Sequence, residues 1–267
     1  MTIAVGVLAG DGVVLAADTE YTWGYLKTSG EKIWTAEGHG ALAIAGAGNG
    51  AYLSAIAQQM IDAFKAAPKT ISVERLYEKF SEILTDFHSK HVIRFAHLGS
   101  SVAISLLVAL QRGKEAYLWA SENDSLERCG PYASIGLGCE YANALLGEMF
   151  AGTAVSWKAS VPLAERIAAY AVFETKNNVR ECGKKTSLVA IQKGHIVETS
   201  AQKMLLINSH LNAFSEIRIL GTKYALGFPY PDATSASEKL MAYLGGLRQD
   251  VLAIEGQTFE GKGRSLE

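Results

Sequence analysis

Near its start the chain carries an apolar, β-branched run at positions 2–18, which reads TIAVGVLAGDGVVLAAD. Residues 3–8 and residues 13–17 are both rich in side chains that favour strands. Between them, Gly10-Asp11-Gly12 is typical of a tight turn. The run therefore predicts an antiparallel hairpin whose second strand ends at Asp18.

The same signals continue outward from this hairpin. Short apolar runs separated by glycine-containing turns predict further antiparallel strands. Apolar residues at helical spacing, with Pro68 after one run and a capping Ser72 before the next, predict helices. The predicted strands are 32–34, 41–45, 101–110, 115–121, 132–135, 187–192 and 196–199, and the predicted helices are 52–66, 72–87, 140–151 and 161–175.

This order of elements lacks the regular βαβα alternation of a parallel sheet. It predicts an α+β fold, a four-layer αββα sandwich of two antiparallel sheets between helix layers. We expect one such domain over residues 2–210 and a C-terminal extension over 211–267. Within the extension the sequence predicts a loop at 227–232, a helix at 235–252 and a frayed polar tail from 256 onward.

Composition excludes several classes of protein. Of 267 residues, 49% are hydrophobic and 19% charged, which supports a sizeable core and argues against a disordered chain. A net charge of −2 argues against nucleic-acid binding. Cys129, Cys139 and Cys182 lie far apart and predict free thiols in a reducing compartment. No signal peptide or membrane-length apolar run is found, so we expect a cytoplasmic protein.

Thr2 is the first candidate for chemistry. Methionine before a small residue is readily removed, and removal of Met1 would leave threonine with a hydroxyl and a free α-amine. The α-amine has a reference pKa of about 7.7–8.0, close to the pH at which a general base works best. A threonine with its own amine is a known activated nucleophile. A threonine in second place without any such role is, by itself, the commoner case.

Asp18 and Lys32 strengthen the candidate. The hairpin brings Asp18 back beside Thr2, and a carboxylate at the end of an apolar strand needs a cation. Lys32 begins the next predicted strand and could supply that cation. A lysine beside Thr2 would also lower the proton affinity of the hydroxyl and the amine. Taken singly, Asp18 would instead be an ordinary turn residue and Lys32 a solvated charge.

A glycine-rich corner, Gly46-Ala47-Gly48-Asn49-Gly50, follows the predicted strand 41–45. Backbone N–H groups at such a corner can bind an oxyanion. The corner could equally be a permissive strand-to-helix turn. Phosphate binding is the weakest interpretation, because the full glycine-rich phosphate motifs are absent.

Residues 2–50 resemble the β-subunits of the proteasome and the bacterial proteasome-like peptidases, which are N-terminal-nucleophile hydrolases. The matching segments are 2–7, 11–19, 32–33 and 45–46, together with Thr22 and Gly24. The resemblance implies that residues 2–210 form the N-terminal-nucleophile hydrolase fold. It also implies that Thr2 is the nucleophile, Lys32 its activator, Asp18 the partner of Lys32, and Gly46 the oxyanion donor. Residues expected to bind substrate are Thr22, Glu20, Ala47 and Gly48.

Two departures from that family concern groups that hold the amine. The family has Gly-Ser-Gly where this chain has Gly136-Leu137-Gly138. It also has an aspartate and a serine near residues 177–183, where this chain has Asn177 and Asn178 but no aspartate, and Cys182 in place of the serine. Glu20 replaces a residue that is often arginine. These departures place efficient proton transfer in question.

Together these residues predict a threonine-type peptidase that hydrolyses peptide bonds within a self-compartmentalising, proteasome-like assembly. No cofactor or metal is expected. The expected partners are a peptide or unfolded protein substrate and further copies of the chain in a ring or related multimer, with an unfolding ATPase as a further option. Two alternatives remain open: a catalytically idle structural subunit, and a small-molecule amide hydrolase of the same fold.

Three histidines, His88, His91 and His97, lie at or beyond the end of the second predicted helix. His88 and His91 share a helix face, but no clustered carboxylate or cysteine accompanies them. We interpret them as a surface helix end and not as a metal site.

Overall fold

The computed structural model describes residues 2–23, 25–94, 103–151, 159–226, 241–242 and 245–246. The chain divides into two compact units, residues 1–199 and residues 200–267. In the first unit the strands are β1 Ile3–Ala9, β2 Gly12–Asp18, β3 Glu20–Trp23, β4 Leu26–Ser29, β5 Ile33–Glu37, β6 Ala41–Gly48, β7 Ile104–Arg112, β8 Glu115–Glu122, β9 Ser125–Arg128, β10 Tyr132–Gly136, β11 Thr186–Gln192 and β12 His195–Glu198. Its helices are α1 Gly50–Ala66, α2 Val73–His91, α3 Cys139–Phe150 and α4 Val161–Asn178, and the second unit contains α5 Ala201–Ala225.

The strands form two five-stranded sheets and one small hairpin. The first sheet has the order β10-β1-β2-β11-β12, the second has the order β5-β6-β7-β8-β9, and β3 pairs with β4. All of these strand pairs are antiparallel, which confirms the predicted α+β class with antiparallel sheets. The first predicted hairpin is also confirmed, since Val7 lies opposite Val14 in the β1–β2 register.

The two faces of β6 and β7 pack in different cores. Because successive side chains of a strand point to opposite faces, neighbouring residues separate into two groups. Leu42 and Ile44 pack with residues of α1 and α2 in one cluster. Ala43 and Leu107 pack in a second cluster that includes Val13 and other residues of the first sheet. This second cluster holds the two sheets against each other.

The helices of the first unit pack against these strands and against one another. Helix α4 contacts β1, β2 and β11, and α3 contacts β10 and α4. Helix α1 contacts β5, β6 and α2. Asn49 and Ser72 cap α1 and α2, accepting hydrogen bonds from the N–H groups of Ala51 at 3.1 Å and Arg75 at 3.3 Å. The predicted cap at Ser72 is thereby confirmed.

Several elements were not predicted from the sequence. The hairpin of β3 and β4 was missed because its outer strand is exposed and carries no alternating apolar pattern. Helix α5 continues to Ala225, although the sequence pattern thins from about residue 210. The predicted loop 227–232 and tail from 256 lie outside the described residues, as does the predicted helix 235–252 apart from four positions. The boundary at residue 210 stays a prediction.

None of the helices within the described part of the chain is long and apolar enough to cross a membrane.

One carboxylate ties the tip of the first hairpin to α4. Asp11 accepts hydrogen bonds from the Val161 N–H at 3.0 Å and from Gln192 Nε2 at 2.5 Å. Ser160, the N-cap residue of α4, makes no capping hydrogen bond with its own side chain. Asp11 therefore acts as a cap supplied from another element, and its negative charge lies at the positive end of the helix dipole.

We predict that Asp11→Ala lowers the free energy of unfolding by about 1–2 kcal/mol, since a cap and a side-chain hydrogen bond are lost together. The control is Asp62→Ala, which removes an exposed contact with Gln58 one helical turn away and should cost at most about 0.5 kcal/mol. Urea denaturation measures both variants. Equal losses in the two would contradict the capping role of Asp11.

Candidate active site

The candidate site is built around the ammonium group of Lys32, which has no exposed surface. Lys32 directly precedes β5, and its Nζ donates to Thr2 Oγ1 at 2.7 Å and to Asp18 Oδ1 at 2.8 Å. It also donates to the carbonyl oxygen of Glu20 at 2.5 Å. An ammonium has three N–H groups, enough to serve these three acceptors. The structure therefore brings together Thr2, Asp18 and Lys32.

Asp18 is as deeply buried as Lys32. Its Oδ1 also accepts from the Ile3 N–H at 3.1 Å, and its Oδ2 accepts from the Gly183 N–H at 3.1 Å. The β1–β2 register explains the first contact, because Ala4 lies opposite Ala17 and the next pair outward is Ile3 and Asp18. The carboxylate thus joins the start of β1 to the end of β2 and to the loop before β11.

Burial and charge act in opposite directions on Lys32. Burial lowers the pKa of Lys32 because water no longer solvates the ammonium, whereas the charge of Asp18 and its hydrogen bond raise it. Burial is the larger influence, so the pKa lies below that of an ordinary lysine. Lys32 therefore loses its proton more readily than a surface lysine does.

Gly46 lies beside this group on β6, and its N–H donates to the carbonyl oxygen of Lys32 at 3.1 Å. A Cβ at this position would come within 2.8 Å of Leu53 and 3.2 Å of Trp34. Packing therefore requires glycine here, whatever its chemical role. Its function as an oxyanion donor stays a prediction, and any oxyanion would share the N–H with Lys32.

Thr2 opens onto a cavity of about 1380 Å³. Ala47 and Gly48, two of the four residues predicted to bind substrate, line it with Thr2. The remaining walls carry polar and small side chains from the N-cap of α1, from strands β7, β8, β9 and β10, and from the first half of α3. They include Asn49, Ser105, Ser121, Arg128, Ser134 and Asn143.

Thr22 and Glu20, the other two predicted substrate residues, are not part of that lining. The Glu20 carboxylate is buried, 2.7 Å from Lys27 Nζ, and it fills the space that a side chain on Gly183 would need. Thr22 Oγ1 lies 3.5 Å from Glu20 Oε1. The contribution of Thr22 and Glu20 to substrate binding stays a prediction.

Leu137 and Cys182, which stand where the resembled family has serines, lie near the start of β1. Leu137 lines the cavity with 59% of its surface exposed, so it does not bury an apolar side chain against Thr2. Cys182 is buried, and a Cβ on Gly138 would lie 3.2 Å from both its Sγ and the Ile3 Cβ. Burial raises the pKa of the Cys182 thiol to about 12, with Asp18 adding to the effect, so it remains protonated at neutral pH.

Sequence reasoning missed three contributors to this site. The Gly183 N–H and the Glu20 carbonyl are backbone groups, which carry no side-chain signal. Tyr21 is the third: its ring centroid lies 5.0 Å from Lys32 Nζ. Only its place next to Glu20 and after the Asp18 strand end could have drawn attention to it.

The histidines form no metal site in the described residues, where no group of three potential ligands occurs. His91 packs against the rings of Phe87 and Tyr52, with centroids 4.7 Å and 5.2 Å away. His88 is buried, contrary to the expected surface position, and burial lowers its pKa. His97 lies outside the described residues.

Comparison with known proteins gives a result for structure only. No protein-family profile and no curated sequence matches the chain. An Anbu (Gly-1) mutant from Hyphomicrobium sp. strain MC1 is similar in structure, with 16% identity, a TM-score of 0.66, and coverage of 87% of this chain and 99% of that one. The chain has the fold of the Anbu proteins.

Two further structures agree with this assignment. Anbu (ancestral beta-subunit) from Yersinia bercovieri is 15% identical, with a TM-score of 0.64 and coverage of 87% and 100%. The subunit in the helical assembly of the Anbu complex from Pseudomonas aeruginosa is also 15% identical, with a TM-score of 0.67 and coverage of 87% and 99%.

These comparisons correct the family expected from the sequence. The resemblance to proteasome β-subunits and bacterial proteasome-like peptidases is wrong as a family assignment, because the structural neighbours are Anbu proteins, a distinct proteasome-like family. The resemblance depended on motifs within residues 2–50. Those motifs describe one hairpin and the strands beside it, so they cannot separate families that share this part of the fold.

We predict that Lys32→Met lowers the free energy of unfolding by about 3–5 kcal/mol, because it leaves the buried Asp18 carboxylate without its cation. The matched control is Lys90→Met, which breaks an exposed pair with Asp86 and should cost at most about 1 kcal/mol. Chemical denaturation at pH 7 measures the free energy of unfolding of the two variants and of the wild-type protein. A loss for Lys32→Met no larger than the control's would show that the buried pair does not stabilise the fold.

Proposed function

We propose that this chain is an amide hydrolase that uses Thr2 as its nucleophile, with peptides as substrates. The observation that carries the proposal is the 2.7 Å contact between Lys32 Nζ and Thr2 Oγ1, within a buried cluster that opens onto a cavity. A buried lysine that only balanced Asp18 would not need to donate to a hydroxyl at a cavity wall. A cation at this distance favours the ionised form of the hydroxyl.

The reaction begins once Met1 has been removed. The α-amine of Thr2 takes the Oγ1 proton through a water molecule, and Oγ1 attacks the carbonyl carbon of the substrate. The amide C–N bond then breaks, the amine returns the proton to the leaving nitrogen, and an ester on Thr2 remains. Water hydrolyses this ester and restores the hydroxyl. Lys32 stays charged throughout and stabilises negative charge on Oγ1.

Gly46 is the proposed source of the oxyanion hydrogen bond. Its N–H already donates to the Lys32 carbonyl, so the oxyanion would be the second acceptor of a bifurcated hydrogen bond. Ala47 and Gly48 continue along the cavity wall and would contact the substrate backbone. Thr22 and Glu20 would act at the edge of the site, where Glu20 orders Lys27 and supplies the carbonyl that holds Lys32.

The proposed function also includes self-association of the chain and a location in the cell. The Pseudomonas aeruginosa Anbu complex forms a helical assembly, and we propose that this chain also associates with copies of itself. Its helices and sheets would stack as a four-layer αββα domain over residues 2–210, with 211–267 as an extension. We place the protein in the cytoplasm, with an unfolding ATPase as a candidate partner.

A catalytically idle structural subunit is the second candidate. Leu137 and the missing aspartate near Asn177 and Asn178 favour it, because the resembled family uses a serine and an aspartate at these places to hold the amine. A small-molecule amide hydrolase is the third, and the polar lining of the cavity is compatible with it. The retained cluster of Thr2, Asp18 and Lys32 favours chemistry over an idle subunit.

We predict that Thr2→Ala abolishes hydrolysis of fluorogenic peptides, whereas Thr2→Ser, which keeps an Oγ, retains measurable kcat/KM. Intact-mass measurement accompanies the assay, because only chains that have lost Met1 carry the free amine. Retention of Met1 in the wild-type protein, or undiminished activity of Thr2→Ala, would overturn the proposal. Peptide inactivity of a processed wild type, with turnover of small amides, would select the third candidate.

We also predict that the purified protein is larger than one chain in solution. Native mass spectrometry or mass photometry measures the assembly, and Thr2→Ala should form the same species, because it removes only a hydroxyl at a cavity wall. A strictly monomeric protein at micromolar concentration would contradict the proposed assembly and leave the hydrolase chemistry to be judged by the Thr2 variants.

A further inference from the structure

Tyr21 occupies a slot beside Lys32 that two glycines keep open. A Cβ added to Gly30 would lie 2.9 Å from Tyr21 Cε2, and one added to Gly50 would lie 2.9 Å from Tyr21 Cε1. Gly30 precedes Lys32 in the chain, and Gly50 begins α1. The ring is therefore held between two backbone segments, neither of which has room for a side chain there.

The ring also lies against the buried cation. Its centroid is 5.0 Å from Lys32 Nζ, within the range of a cation–π interaction. The phenolic hydroxyl donates to the Glu31 carbonyl at 3.0 Å, in an exposed position, and this bond fixes the outer end of the ring. Tyr21 is half-buried whereas Lys32 has no exposed surface, so the ring is a partly exposed layer over a fully buried ammonium.

We propose that Tyr21 is a positioning residue whose ring covers Lys32, keeping water from the ammonium and stabilising its positive charge. The consequence of this covering for catalysis rests on the proposed function, because Lys32 acts as a cation in the proposed hydrolysis. The covering of Lys32 can be tested on its own.

The ring has two opposite effects on the Lys32 proton. Its negative face favours the charged ammonium and raises the pKa, while the exclusion of water disfavours the charged form and lowers it. The other groups that face Lys32 are Asp18 on β2, Glu20 on β3 and Cys182 in the loop before β11. Each of these raises the pKa of Lys32, and all three residues are present in every Tyr21 variant.

Three variants separate the two effects of the ring. Tyr21→Phe keeps the ring and loses only the hydroxyl, so the Lys32 pKa should stay near the wild-type value. Tyr21→Leu fills much of the space without a π-face, so the pKa should fall, by about one unit for a desolvated cation–π contact. Tyr21→Ala admits water to the ammonium, so the pKa should rise above that of Tyr21→Leu.

The Lys32 pKa is measured by NMR titration of protein labelled with ¹³C at the lysine ε-carbon, with the signal assigned by its absence from Lys32→Arg. This readout does not require hydrolysis. Equal pKa values in Tyr21→Phe and Tyr21→Leu would overturn the stabilisation of charge. Equal values in Tyr21→Leu and Tyr21→Ala would overturn the exclusion of water.

The pH dependence of kcat/KM tests whether the effect of Tyr21 on the Lys32 pKa also changes catalysis. The basic limb, on which activity falls as Lys32 loses its proton, should move to lower pH in Tyr21→Leu and remain in place in Tyr21→Phe. Loss of the basic limb in Tyr21→Phe would assign it to the phenol itself and overturn the positioning role. If the wild-type protein hydrolyses no peptide while the NMR order holds, the proposed function fails and the covering of Lys32 stands.

Discussion

The buried ammonium of Lys32 is the constraint on which the site depends. A cation without exposed surface is stable only if it is paired and its N–H groups find acceptors, and these come from the start of β1, the end of β2 and the start of β3. The three segments must therefore meet at one point. The carboxylate of Asp18 adds a fourth, the loop before β11, through the Gly183 N–H. A shift of one residue in the β1–β2 register would turn Asp18 to the other face and leave Lys32 unpaired.

Close packing around that charge explains the small residues nearby. A side chain at Gly136 would meet the Thr2 carbonyl, one at Gly138 would meet Thr175, and one at Gly183 would meet the Glu20 carboxylate. Gly136 also has φ +93°, a conformation that favours glycine. These glycines let other strands and loops approach the start of β1 closely. Thr2 thus lies among closely packed segments at one wall of the cavity, an arrangement that suits the nucleophile role proposed for it.

The comparison with Anbu structures separates fold from chemistry. A common fold at 15–16% identity establishes how the chain is arranged, but not what it does, because one fold supports many functions. Hydrolysis is therefore proposed from the geometry of Thr2, Asp18 and Lys32 and not from the fold. A local motif led to the wrong family because residues 2–50 encode only one hairpin and the strands beside it, whereas the structural similarity to Anbu proteins covers 87% of the chain.

The sequence alone determined the first hairpin, the antiparallel class and the closeness of Thr2 and Asp18, because strand alternation and a tight turn are local and bring residues 2 and 18 together. For Lys32 the sequence left two options open, a partner of Asp18 or a solvated charge, and the tertiary structure decided between them. Three further features of the site could not be determined from the sequence and were decided by the tertiary structure. The Gly46 N–H donates to Lys32, Leu137 is exposed, and Tyr21 covers the ammonium. Each of these features depends on which segment, distant in the chain, packs beside a given residue. The spacing of apolar residues along the chain predicts helices and strands but not such contacts.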